Sequence, residues 1–388
     1  MTFSLARPDD VVLEIDLAAV RANFRYVAAL VGPYVTVAAV VKSDAYGLGL
    51  VNIAKALIET GCDLLFVANL DEAILLRSRF GRIAIAVFRD EFDRFGGFYQ
   101  SYGLIPVVNN CKELHAVCAA GEAQTYFLNV ETGFSRFGLS VGDIHRNYLL
   151  RTFERCRPSI LLSHLACGEC IWDETNVLQR DRFRSVYDLL RPTGGSLAAS
   201  AGVWLGKSYH FDMVRVGSAL YGIDTAGVQA TRLQPVVKLR ARILDVRDVP
   251  AGEAVGYAAT FRTIRSSRVA IVGIGYKHGL PWSCANKIAV RMGNHSAPSI
   301  GRISMEYIMI DITDVPAGHC IPGTFVELLT EDFTVNDLAA AAGVSPQETL
   351  TRLGAGCTRK YVNSCSSSAG FTANRSMAAM SSPSRAER

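Results

Sequence analysis

The sequence predicts an α/β fold: an N-terminal TIM (β/α)8 barrel followed by a mainly β domain. Three observations carry that reading. Between about residues 35 and 220, short apolar, β-branched runs alternate with helical stretches, the rhythm of a parallel sheet wrapped in helices. Eight such runs can be counted, which matches a closed barrel, whereas an open doubly wound sheet needs fewer. After about Asp224 the texture changes to strand-like runs joined by Gly, Pro and Asn turns with little helix between them.

The expected barrel strands are residues 35–42, 64–68, 83–88, 104–108, 126–130, 160–165, 196–200 and 213–216. Several are apolar throughout, as strands buried on both faces must be. Residues 51–60, 71–78, 111–119, 144–153 and 177–190 carry helical spacing. The β region is expected to place strands at 239–246, 269–275, 287–291, 305–312 and 324–329, then a helical pair at 335–341 and 346–353. The expected division is therefore 1–235 for the barrel and 236–362 for the β domain, with a first strand at about 11–16 a candidate member of the latter. Residues 363–388 are Ser/Ala-rich and are expected to form a disordered tail, having little to bury.

Composition narrows the function classes. At 388 residues the chain exceeds one ordinary core, and 49% hydrophobic with 20% charged residues is the balance of a well-buried globular protein. The formal charge of +4 is spread without basic blocks, which leaves no electrostatic footprint for nucleic acid. No apolar run reaches the length of a membrane span. The first eleven residues lack the layout of a signal peptide, so a cytoplasmic protein is expected, its ten cysteines mostly free thiols. Only Cys167 and Cys170 form a C-x-x-C pair, and the seven histidines make no H-x-x-x-H pattern; no metal is expected.

Barrel chemistry sits at the C-terminal ends of the strands. Lys42 closes the first expected strand, where desolvation lowers the pKa of an amine as Schiff-base chemistry requires. Read alone, such a lysine is more often a snorkelling surface group; the string around it decides. VKSDAYGLG at 41–49 resembles the cofactor-lysine motif V-K-A-x-A-Y-G-H-G of the alanine racemases, pyridoxal-phosphate (PLP) enzymes of fold type III. Ser43 and Leu48 are the departures. The resemblance continues in order over about residues 12–362. NVETGFSRFG at 129–138 is similar to K-x-D-T-G-M-x-R-x-G, with Asn129 in place of the lysine. SHLA at 163–166 resembles S-H-x-A, and SLAASAG at 196–202 resembles S-x-A-N-S-A-G with Ala199 for Asn. DMVRVGSALYG at 212–222 matches D-x-V-R-x-G-x-x-L-Y-G. In the β region, VGYAATF at 255–261 resembles V-x-Y-G-x-T-[YF], and GYKHGLP at 275–281 resembles G-Y-x-D-G-x-P with His278 for Asp. GRISME at 301–306 resembles G-x-x-x-M-D with Glu306 for Asp, and Gln347 stands where the family has a phosphate-contacting tyrosine.

The resemblance implies PLP held on Lys42, with Tyr46, His164, Ser200, Arg215, Gly217 and Ser218 around it, the last two through backbone N–H groups to phosphate. It implies Arg136 and Met305 at the substrate carboxylate, and a chloride near Asn129 and Arg136 in place of a carbamylated lysine. The activity it implies is interconversion of L- and D-alanine by two bases on opposite faces of Cα, Lys42 for the D-substrate and Tyr257 for the L-substrate. A His164–Arg215 relay lowers the tyrosine's pKa. Sites shared across a head-to-tail homodimer follow, with a small amino acid as substrate. Arg215 has chemical meaning beyond the resemblance: a guanidinium does not protonate the cofactor's pyridine nitrogen, which limits carbanion delocalisation and favours return of the proton to Cα over transamination or decarboxylation. A PLP decarboxylase would need an acidic partner at that nitrogen, and the β region argues against a single-domain PLP-homeostasis protein. Serine or a broader range of amino acids stays open as substrate, as does a PLP-binding relative weakened by Ala199 and Gln347.

Overall fold

The structure is a computed structural model that describes residues 10–121, 124–225 and 232–364; the expected tail lies outside the described residues from 365 onward. The chain opens with β1 (Val11–Asp16), whose last carboxylate accepts the Ala18 N–H at 2.8 Å and so caps the helix Leu17–Val31. Eight parallel strands follow: β2 (Thr36–Val40), β3 (Leu64–Val67), β4 (Ala84–Val87), β5 (Ile105–Val108), β6 (Phe127–Glu131), then, past the two-residue β7 (Leu139–Ser140), β8 (Ile160–Leu162), β9 (Gly194–Ser196) and β10 (Met213–Val216). Pairing runs β10-β2-β3-β4-β5-β6-β8-β9. The ring closes where the Asp212 and Arg215 N–H groups donate to the Gly195 and Ala198 carbonyls, each at 3.0 Å.

The apolar runs explain the barrel. Alternate residues Ala38, Val40, Phe66, Ala86, Val107 and Phe127 fill its inside, while Val37, Ala39, Leu65, Ile85, Val87 and Leu128 pack outward with the helices. The same alternation turns Lys42, Asn129 and Arg215 inward at the strand ends. One strand is corrected. The run expected at 196–200 stops at Ser196, because Ser200 already has helical backbone angles (φ −47°, ψ −53°) ahead of the 3-10 turn Ala201–Leu205.

The helices Leu50–Ile58, Leu70–Arg79, Cys111–Ala119 and Glu174–Leu190 lie close to expectation. The stretch expected at 144–153 is instead two helices, Val141–Ile144 and Asn147–Arg155. A further helix, Phe92–Tyr102, carries Gly96 and Gly97 at its centre, residues that lower helix propensity by about 1 kcal/mol each and mask the pattern. Cys118 and Cys156 depart from the free-thiol expectation: they form a disulfide, Cα atoms 5.6 Å apart, at the ends of two helices. Cys62, Cys111, Cys167, Cys170, Cys284, Cys320 and Cys357 are free.

The β region is built on β11 (Val237–Val249), bulged between Ile243 and Asp245. The hairpin β12 (Ala254–Val255) and β13 (Phe261–Arg262) follows, then β14 (Ser267–Val272), β15 (Ala289–Met292), β16 (His295–Ile300), β17 (Ile308–Asp311), β18 (Phe325–Leu329) and, after helices Val335–Ala342 and Pro346–Gly356, β19 (Thr358–Val362). Pairing passes β11-β14-β17-β16-β15-β18 and returns to β11, a closed antiparallel ring. β1 is wedged between β11 and β19, with Leu13 opposite Leu239 on one side and Arg359 on the other. The strand expected from 305 begins only at Ile308, because the Ser304 hydroxyl accepts the Tyr307 N–H at 2.9 Å and closes a turn there. Among the described residues no helix is long and apolar enough to cross a membrane, and no three His, Cys, Asp or Glu side chains converge as a metal site.

Candidate active site

Lys42 leaves β2 into an unusual turn. Ser43, Asp44, Ala45 and Tyr46 all have positive φ (57°, 54°, 53° and 57°), one left-handed helical turn of non-glycine residues. Such a conformation costs roughly 1–2 kcal/mol per residue, so surrounding structure must hold it. Glu72 accepts the Asp44 N–H at 2.9 Å, and the Asp44 carboxylate accepts the Leu50 N–H at 2.7 Å. Further support comes from β19. Arg359 pairs with Asp44 and donates to the Gly47 carbonyl at 2.9 Å, and the Tyr361 hydroxyl donates to the Leu48 carbonyl at 3.0 Å. A Cβ on Gly49 would overlap that hydroxyl, which is why the close approach needs glycine.

The turn aims Lys42 into a cavity of about 440 Å³ at the C-terminal ends of the barrel strands, lined also by Tyr46, Asn129, Arg136, His164, Ser200, Arg215, Gly217, Ser218 and Gln347. Burial first, then the Arg136 charge, lowers the Lys42 pKa below its ordinary value. Arg215, on β10, is buried; it donates to the Ser196 carbonyl and hydroxyl at 2.7 Å each and to the Ser163 carbonyl. Burial and then Arg136 lower its pKa to about 10, which leaves it a cation at neutral pH. Burial, followed by Arg215, Arg136 and Lys42, pushes His164 down to about 3, so its ring is neutral. The resulting wall is cationic.

At the opposite side, the Ser200 hydroxyl accepts the Gly217 and Ala219 N–H groups at 3.0 and 3.2 Å. The Gly217 N–H is thus already engaged, and Ser200 keeps its own hydroxyl proton to donate. Gln347 donates to the Ser218 hydroxyl at 3.2 Å. A Cβ at residue 217 would come within 2.5 Å of the Tyr46 hydroxyl oxygen, so glycine is required there too.

The loop after β6 was legible only for its arginine. The Glu131 carboxylate collects N–H groups of Gly133, Phe134 (2.7 Å), Ser135 (2.8 Å) and Arg136 (3.4 Å). Burial alone would raise that carboxyl, but these donors, Ser135 foremost, outweigh it and hold its pKa below the usual value. Asn129 donates its amide to Asn109 at 2.9 Å. Two other predicted site residues are elsewhere. Tyr257, in the turn between β12 and β13, is 68% exposed and Met305 is 55% exposed, and neither lines the cavity. Sequence reading missed Glu131, Phe134, Glu72, Arg359 and Tyr361 as supports of the site; for Glu131 the signal was its acidic place in the 129–138 string.

A lysine amine, a buried arginine and a hydroxyl-rich wall at the mouth of a barrel that is followed by an antiparallel β domain are the frame of a barrel enzyme with its site at the strand ends. Family models described as the alanine racemase N-terminal and C-terminal domains match residues 15–225 and 236–361. The chain belongs to the alanine racemase family. It is 80% identical over 387 residues to the biosynthetic alanine racemase of Mesorhizobium japonicum, covering 100% of this chain and 98% of that one. It is 66% identical over 368 residues to alanine racemase 3 of the same organism, covering 95% of each. Among solved structures, alanine racemase from Bartonella henselae with covalently bound pyridoxal phosphate is similar at a TM-score of 0.85 and 34% identity, over 92% of this chain and 100% of that one.

Proposed function

We propose that this chain interconverts L- and D-alanine with pyridoxal 5′-phosphate held on Lys42. The observation that carries this is the Lys42 amine, its pKa lowered, set in a cavity lined also by Arg89, Arg136, Arg215 and Glu169, where the Arg136 and Arg215 guanidinium groups have no carboxylate bonded to them among the described residues. Such a pocket fits a group bearing a phosphate and a substrate bearing a carboxylate. Ser200, Ser218, Tyr46 and Gln347 are the donors that would meet the phosphate, with the Gly217 backbone close by, and Arg215 would meet the ring nitrogen. The volume suits a ligand of that size.

When bound, the cofactor withdraws electrons from the Cα of an attached amino acid and acidifies its proton. Lys42 Nζ takes or returns that proton on one face. The opposite face needs a second base, since one group serves one face. In this reading Tyr257 is that base; because it does not line the cavity of its own chain, Tyr257 of the partner subunit would supply it, with Met305 of the partner subunit beside the carboxylate. The protein in this reading is a head-to-tail homodimer with shared sites. Arg136 binds the carboxylate, and a chloride beside Asn129 balances its charge. His164 and Arg215 form the relay toward the tyrosine. Seven free thiols among the described residues, against one disulfide, support a cytoplasmic location.

The test is conversion of L-alanine to D-alanine in deuterium oxide. Deuterium at Cα of the product, together with loss of both activity and yellow colour in Lys42→Ala, is expected. Absence of D-alanine would sink the proposal, and at least tenfold faster conversion of serine would reassign its substrate.

A further inference from the structure

The Arg136 guanidinium makes no hydrogen bond and no ion pair among the described residues, although it stands in a site that must orient a carboxylate. Its one side-chain partner is aromatic. The guanidinium carbon lies over the Phe134 ring, 4.3 Å from the centroid, well inside the range of a cation–π contact. Phe134 is itself fixed from two directions. Its N–H is bound by the Glu131 carboxylate at 2.7 Å, and its ring meets the His164 ring edge-on at 5.2 Å. His164 is anchored in turn, its carbonyl accepting Gln179 at 2.9 Å, and Gln179 also donates to the Thr132 hydroxyl at 3.2 Å. Because the imidazole is neutral, it presses on the ring without adding a competing cation.

We propose that Phe134 is a positioning residue for substrate recognition: its negative ring face aims the Arg136 guanidinium at the carboxylate of the amino acid. This rests on the function proposed above. A guanidinium that spends its planar face on a ring keeps its N–H edge for the substrate. Held by a carboxylate instead, it would offer fewer free donors and less net charge. An aliphatic side chain would fill the same volume but leave the guanidinium to swing, since nothing else among the described residues holds it.

The test is made on holoenzyme with two readouts: the KM and kcat for L-alanine, and the dissociation constant of propionate, a carboxylate without the amine. Phe134→Leu is expected to raise KM and the propionate constant about three- to tenfold, more than it lowers kcat. Phe134→Tyr is expected to restore both to within twofold. To hold shape nearly constant, and in case Phe134→Leu does not fold, position 134 is also filled with mono-, di- and trifluorophenylalanine. The propionate constant should then climb with each fluorine as the ring face loses negative charge. A flat fluorine series, or a tyrosine variant as impaired as the leucine one, overturns the proposal. Failure of the unaltered protein to racemise alanine would overturn the proposed function, while the propionate series would still decide the part played by the ring.

Discussion

His164 shows how strongly one position is shaped by its surroundings. Its pKa is about 3 in the folded chain against an ordinary 6.5, so between those values the unfolded chain binds one more proton than the folded one. Stability is therefore full above about pH 6.5 and is lost as pH falls toward 3, at no more than about 1.4 kcal/mol per pH unit from this group. In His164→Gln that part vanishes: the urea midpoint should fall less steeply from pH 7 to pH 5 than in the unaltered holoenzyme. Equal slopes would show that the imidazole is already solvated. At this scale, much of the cavity was legible because Lys42, Arg136, His164 and Arg215, each ordinary when read alone, sit in strings that resemble a known family's motifs. Phe134 and Glu131 were not, since what they do depends on contacts made through space, a ring under a guanidinium and a carboxylate gathering four N–H groups.

Among elements, the left-handed turn after Lys42 and the strand that braces it form one unit. Arg359 and Asp44 are both partly exposed, so their charge attraction alone is worth about 1 kcal/mol or less. The geometric consequence is larger, because the same guanidinium also holds the Gly47 carbonyl. Arg359→Ala is expected to release cofactor several-fold faster on dialysis, followed by absorbance, whereas Lys55→Ala, which removes only an exposed i,i+4 pair, should not. If both lose cofactor alike, the brace is unimportant. Barrel strands such as β2, β3 and β4 were readable because they are apolar on both faces, whereas β9, Gly-Gly-Ser, was expected at 196–200 and lies at 194–196. β16 was not, with Pro298 inside and His295, Ser296 and Ser299 for company, and β19 begins with the polar run Thr358, Arg359 and Lys360. Both are strands by virtue of their partners rather than of their own composition.

For the whole molecule, the question is how Tyr257 and Met305, which do not line the Lys42 cavity, relate to it. Two proteins each defective in one base, Lys42→Ala and Tyr257→Phe, are expected to regain activity when mixed under conditions of subunit exchange, approaching a quarter of the unaltered level from one intact site per heterodimer. Continued inactivity, with exchange verified by mass, would mean that each chain completes its own site. The two-region architecture was open to sequence reading, since the change of texture near Asp224 is compositional. The pairing of β1 with β19 was not, because it joins residues from opposite ends of the chain.

That pairing also orders events in time. Asp44 and the arginine that secures it are 315 positions apart. A ribosome making this chain therefore releases the lysine-bearing turn long before the residues that hold its left-handed backbone exist. Lys42 acquires its braced geometry only after β19 has been made, and a product cut short before Thr358 would carry every barrel strand and still lack the clasp on that lysine's turn.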